Sequence, residues 1–178
     1  GAFADSVWLP ILPGTDTALL LGMIREITES RLADEKFLAA HTNAPLLIRD
    51  DGTPLPAADV SGDKAAIGHA VWDGKAGAVA FQGVKRNDRG VAVEYVATPG
   101  AEPALDFEGE VTLASGERVK VRTAWRLVRA RVAPYTIDRT AQLTGLPAVQ
   151  IRSLARDFAT QGGVADDGWY WTRNGNDT

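Results

Sequence analysis

Apolar and polar positions change their period several times along the chain, and each change predicts an element. Val7 to Leu12 (VWLPIL) is a short apolar run with β-branched and aromatic residues. It reads as a strand that Pro10 confines to a sheet edge or a strand end. Pro13-Gly14 breaks it. Ala18, Leu19, Leu20, Met23, Ile24 and Ile27 then recur at helical spacing, with Thr15 or Asp16 placed to cap the helix. Asp34 can cap a shorter helix from Glu35 to His41. Pro45 to Arg49 reads as a strand ended by Asp50-Asp51-Gly52.

From Gly52 the apolar stretches shorten, and Gly, Pro and Asp become frequent. Ala78 to Val84 and Gly90 to Ala97 alternate like half-buried strands. Glu110–Leu113 and Arg118–Val121 flank Ala114-Ser115-Gly116-Glu117 as a hairpin. Helical spacing resumes at Trp125, Leu127, Val128 and Val132, and Pro134 ends it. Thr136 can cap the next helix and Gly145 can terminate it. Pro147 opens another, with Val149, Ile151, Leu154, Ala155 and Phe158 as its apolar face and Gly162-Gly163 as its end. Val164 to Trp171 reads as a further strand. The expected organisation is a strand–turn–helix segment at 1–51, a β-rich irregular insert at 52–122, and a helical segment at 123–178. The fold class expected is α/β, part of a Rossmann-like parallel-sheet domain interrupted by that insert.

Composition narrows the function. The chain has 178 residues, the size of one ordinary domain or slightly more. Lys plus Arg is 19 and Asp plus Glu 23, a net charge of −4, which argues against a partner held by phosphate neutralisation such as nucleic acid. No apolar run approaches the roughly 20 residues that cross a bilayer, so direct membrane insertion is not expected. Cysteine is absent, which removes disulfides, thiolate metal sites and thiol nucleophiles from this segment. Only His41 and His69 are present, too few for a histidine-rich metal site. His41, near a helix end, reads as capping or solvated, and His69 as half-buried packing. The pairs Asp50-Asp51 and Asp166-Asp167 sit beside glycines and read as turn residues. The basic run from Arg118 to Arg131 alternates with apolar residues, as a solvated face does. Trp169, Tyr170 and Trp171 read as core or interface.

The sharpest local feature is Leu12-Pro13-Gly14-Thr15-Asp16, between a strand-like run and a helix. A helix N-terminus presents backbone N–H groups and the positive end of the macrodipole to a ligand. An ionised Asp is acceptor-only and suits a donor-rich edge such as the N1–H and N2–H₂ of guanine. Simple capping of the helix by Thr15 and Asp16 is the alternative.

The run from Ala4-Asp5 through Pro13-Gly14-Thr15-Asp16-Thr17-Ala18-Leu19 to Gly22-Met23 resembles a signature of the molybdopterin oxidoreductases of the dimethyl-sulfoxide-reductase type. Leu12 stands where many members carry an arginine. Two further stretches resemble the family in the same order. They are Asp34, Phe37-Leu38 and His41 to Pro45, and then Tyr135-Thr136, Ala141, Thr144 to Ala148, Ile151 and Leu154-Ala155-Arg156. Trp72-Asp73, Ala104-Leu105, Gly109, Val119 to Leu127 and Asn176-Asp177-Thr178 look most like the polysulfide and thiosulfate reductase-like subgroup.

The resemblance implies an internal fragment of a catalytic subunit carrying a molybdenum or tungsten bis(guanine dinucleotide) cofactor. Gly14, Thr15 and Asp16 would line the guanine dinucleotide, with Asp16 receiving the guanine. The metal ligand and an iron–sulfur cluster would lie upstream, so the segment would not turn over by itself. The implied partners are the remainder of the catalytic subunit, an iron–sulfur electron-transfer subunit, and a membrane anchor subunit. A stand-alone, non-catalytic nucleotide-binding or interaction domain is the alternative. Compartment is not legible in this segment.

Overall fold

A computed structural model describes residues 8–161. In chain order the elements are α1 (Asp16–Glu29), α2 (Glu35–His41), β1 (Leu47–Arg49), α3 (Ala57–Ser61), β2 (His69–Asp73), β3 (Ala78–Arg86), β4 (Ala92–Ala97), β5 (Glu108–Thr112), β6 (Arg118–Thr123), α4 (Ala124–Val132), α5 (Ile137–Thr144) and α6 (Ala148–Gln161). They belong to two compact units. Among the described residues one joins 8–33 with 131–161, and the other is Asp34–Ala130.

The first unit is helical. Its core is Ile137, Leu146 and Ile151, with Leu9, Ile11, Leu19, Ala141 and Ala148 packed against them. The Thr136 hydroxyl accepts from the Arg139 N–H at 3.2 Å and caps α5. Gly145 closes the same helix in the left-handed region, at φ +77°. Gly22 on α1 lies where a Cβ would come within 2.3 Å of the Thr140 hydroxyl, so α1 and α5 approach backbone to side chain with no room between. Trp8–Leu12 is not a strand. Its backbone meets α5 where the Leu12 N–H donates to the Thr144 carbonyl at 2.9 Å. Pro10 and Pro13 remove two of the donors that a ladder would need.

The second unit carries two three-stranded sheets, ordered β1-β6-β5 and β2-β3-β4. Every strand pair among the described residues is antiparallel. The α/β content agrees with the sequence; the Rossmann-like parallel sheet does not appear. The physical reason is the connections. Parallel neighbours need a crossover of a dozen or more residues, whereas β2–β3 and β5–β6 are joined by tight turns. Asp73 makes the first of these. Its carboxylate accepts from the Lys75 N–H at 2.9 Å and the Ala76 N–H at 3.1 Å. These bonds, chiefly that from Ala76, hold the carboxyl below the ordinary carboxylate range against the opposing effect of burial.

The inner faces meet in a core of Leu47, Leu55, Ala70, Val111 and Val121. Trp72 stacks on Phe107 beside it with ring centroids 4.0 Å apart. A smaller cluster of Leu46, Ile48, Val71 and Ala80 carries Leu127 of α4. Complete burial of a side chain such as Leu47 contributes about 1.5–3 kcal/mol.

Candidate functional site

The loop into α1 is built from the chain upward. Pro13 fixes its own φ, and Gly14 at φ +80° turns the backbone through the left-handed region. A Cβ at Gly14 would meet nothing within 4 Å, so the glycine is required by the backbone angle rather than by crowding. Thr15 then closes the turn twice onto the Leu12 carbonyl, through its N–H at 3.2 Å and its hydroxyl at 2.6 Å. Thr15 occupies the N-cap position of α1 but makes no side-chain cap bond. Its hydroxyl serves the turn, which leaves the first helical donors uncapped.

The intrahelical bonding of α1 begins with the Leu19 N–H on the Thr15 carbonyl at 3.0 Å. The N–H groups of Asp16, Thr17 and Ala18 precede that ladder, at the positive end of the macrodipole. Asp16 is exposed, and its carboxylate makes no hydrogen bond or ion pair among the described residues. Gly14, Thr15 and Asp16 are thus brought together as a turn with exposed donors and one uncommitted carboxylate. A helix N-terminus of this kind can receive an anion, and an ionised carboxylate accepts from N–H groups. Among the described residues no group of three or more His, Cys, Asp or Glu is placed to hold a metal ion.

The other sequence candidates fall into place individually. Asp34 caps α2 by accepting from the Phe37 N–H at 2.9 Å. Asp51 is a turn residue, accepting from the Thr53 hydroxyl at 2.6 Å and the Thr53 N–H at 2.8 Å, and both lower its pKa. The basic run is largely neutralised at short range. Arg122 meets Asp50 at 2.8 Å, Arg118 meets Glu110 at 2.7 Å, and Arg126 forks between Asp106 at 2.5 Å and Glu108 at 2.7 Å. Asp166-Asp167, the Trp169–Trp171 run, the Val164–Trp171 strand and the Asn176-Asp177-Thr178 motif lie outside the described residues. No helix among the described residues is long and apolar enough to cross a membrane.

His41 ends α2, exposed, with its ring 5.3 Å from that of Phe37. His69 opens β2, half-buried, opposite Gln82 of β3. Both line one cavity of about 560 Å³, together with Arg86 and Gln82. The last two carry no sequence signal, since they lie in a strand whose alternation alone is legible.

No family model matches the chain. The chain is 37% identical over 158 residues to a sulfite dehydrogenase chain of Allochromatium vinosum, covering 88% of this chain and 15% of that protein. It is 32% identical over 159 residues to the alpha subunit of dimethylsulfide dehydrogenase from Rhodovulum sulfidophilum, covering 87% and 16%. It is 30% identical over 173 residues to the alpha subunit of perchlorate reductase from Dechloromonas aromatica, covering 86% and 18%. The chain therefore spans less than a fifth of the length of these relatives. Similarity along most of this chain to one segment of several such subunits agrees with the ordered signatures around Gly14, Phe37 and Gly145, and the chain belongs to the molybdopterin oxidoreductase family, matching a segment of its catalytic subunits.

Proposed function

We propose that this segment forms part of the guanine end of a molybdopterin guanine dinucleotide site. The observation that carries the reading is the exposed, uncommitted carboxylate of Asp16 beside three N–H groups that precede the helical ladder. Asp16 would accept from the N1–H and N2–H₂ of guanine. Gly14 would allow the cofactor to approach the backbone, and Thr15 would hold the turn in shape through Leu12. When bound, the cofactor's molybdenum or tungsten supplies the two-electron chemistry. This segment supplies binding and orientation.

For the whole protein we propose an oxidoreductase that transfers an oxygen or sulfur atom with two electrons, on a small oxyanion or sulfur compound. The names of the relatives, which cover sulfite, dimethylsulfide and perchlorate, support that class. A sulfur oxyanion or polysulfide is its sharper form. The metal ligand and an iron–sulfur cluster would come from other parts of the catalytic subunit. An iron–sulfur electron-transfer subunit, together with a membrane anchor subunit, would complete the assembly.

The test is Asp16→Asn in the full-length protein. Guanine nucleotide released by acid and metal content are measured, with circular dichroism as the folding control. The expected result is at least about a tenfold weaker retention of cofactor, the scale of one lost hydrogen bond to a charged group, with the fold unchanged. Full cofactor content in a folded Asp16→Asn protein would leave Asp16 as an ordinary first-turn acid.

A further inference from the structure

The two histidines of the chain are 28 positions apart, yet His41 at the end of α2 and His69 at the start of β2 line the same cavity in the Asp34–Ala130 unit. Arg86, the last residue of β3, lines it as well. No Asp or Glu lines this cavity, although the chain as a whole carries a net charge of −4. The basic lining is therefore a local departure from the overall charge.

The commitments of these side chains are few. Arg49, Arg118, Arg122, Arg126 and Arg129 of the same unit each meet a carboxylate. Arg86 meets none among the described residues. It donates one guanidinium N–H to the Gly90 carbonyl at 2.8 Å, out of the five donors a guanidinium carries. His41 makes only a ring contact with Phe37, and His69 makes no side-chain hydrogen bond among the described residues. The polar wall between them is held in shape. Gln82 is 5% exposed and donates to the Thr42 carbonyl at 3.4 Å. A Cβ on Gly83 would lie 2.3 Å from the Gly68 Cα, so the backbones of these two lining residues touch and no side chain projects from either into the opening.

We propose that this cavity binds an oxyanion group, with His41, His69 and Arg86 as its donors. A guanidinium and two imidazoles supply charge-assisted hydrogen bonds of the kind that phosphate, sulfate or carboxylate oxygens accept. A volume of about 560 Å³ exceeds a single small anion, so the group is either a free inorganic oxyanion or the anionic end of a larger molecule. The site does not depend on the cofactor reading.

The test is a titration of the full chain with inorganic phosphate, and separately with glycerol 3-phosphate, followed by NMR of the histidine rings. Saturable shifts of both His41 and His69 with one dissociation constant are expected. Arg86→Met, at an exposed position, should weaken binding by at least about tenfold. Arg89→Met, in the neighbouring exposed turn, should leave it unchanged. Saturation by phosphate identifies a free ion as sufficient, and saturation by glycerol 3-phosphate alone identifies a larger ligand; either supports the proposal. Shifts of only one histidine, no saturation with either probe, or equal weakening by Arg86→Met and Arg89→Met would overturn it.

Discussion

The helical unit around Ile137, Leu146 and Ile151 and the sheet unit around Leu47, Leu55 and Val121 present different surfaces to their surroundings. The helical unit exposes large apolar side chains, with Trp8 at 85%, Val149 at 71% and Phe158 at 70%. The sheet unit's large apolar side chains are less bare, Val91 at 56% being the most exposed among the described residues, and its surface carries several arginine–carboxylate pairs. Its basic cavity around Arg86 stands apart from those pairs. In the helical unit the candidate ligand-binding groups are the first-turn donors and the Asp16 carboxylate of α1. On the proposed reading, the apolar surface of that unit faces the remainder of a catalytic subunit. In the sheet unit His41, His69 and Arg86 line one cleft with no carboxylate among its lining residues.

The largest effects that probe this contrast lie in the two cores. Ile151→Ala and Leu47→Ala should each cost about 2–5 kcal/mol, measured by chemical denaturation. If the units unfold separately, each change should lower one transition only; a common shift of a single transition would join them into one cooperative body.

Gly22→Ala should come next. Alanine favours a helix over glycine by about 1 kcal/mol, yet a Cβ would strike the buried, β-branched Thr140. Overpacking of about 1–3 kcal/mol should win, giving net destabilisation. A stabilised Gly22→Ala protein would show that α1 and α5 can separate freely.

Acid should weaken the sheet unit through Asp73. Its pKa is depressed in the folded state, chiefly by the Ala76 N–H. Its contribution is therefore fully present above the unfolded pKa of 3.8 and is lost as pH falls through the lower, folded value. Asp73→Asn should flatten the stability–pH curve below about pH 4. An unchanged acid limb would assign that limb to other carboxylates.

The smallest effect should be at the surface pairs. Arg122→Ala breaks an exposed contact with Asp50 and should change stability by less than about 1 kcal/mol.

Much of this organisation is legible in the sequence because it is local. The Asp34 and Thr136 caps, the Gly145 terminator and the hairpin around Ser115-Gly116 each depend on residues within a few positions of one another. The short helix α3 is not legible, since five residues after Pro56 show no helical period. Strand β2 escapes the pattern because His-Ala-Val-Trp-Asp buries both faces and does not alternate. The strand–turn–helix start suggests a parallel sheet, but the pairing is decided elsewhere. Leu47 pairs with Thr123, a contact that nothing near either residue announces.

The candidate site divides in the same way. Gly14, Thr15 and Asp16 are consecutive, so their turn can be anticipated, though not that the Thr15 hydroxyl serves Leu12 rather than the helix. The convergence of His41, His69 and Arg86 depends on how β2 and β3 pair, and no spacing in the sequence encodes it.

The decisive experiment is a structure of the full-length protein with its cofactor bound, determined experimentally and read at Asp16. A guanine edge should lie within hydrogen-bond distance of the Asp16 carboxylate, about 2.7–3.2 Å from nitrogen to oxygen, over the Gly14 turn. A cofactor bound with its guanine away from Asp16 and Gly14 would contradict the proposed role of this loop.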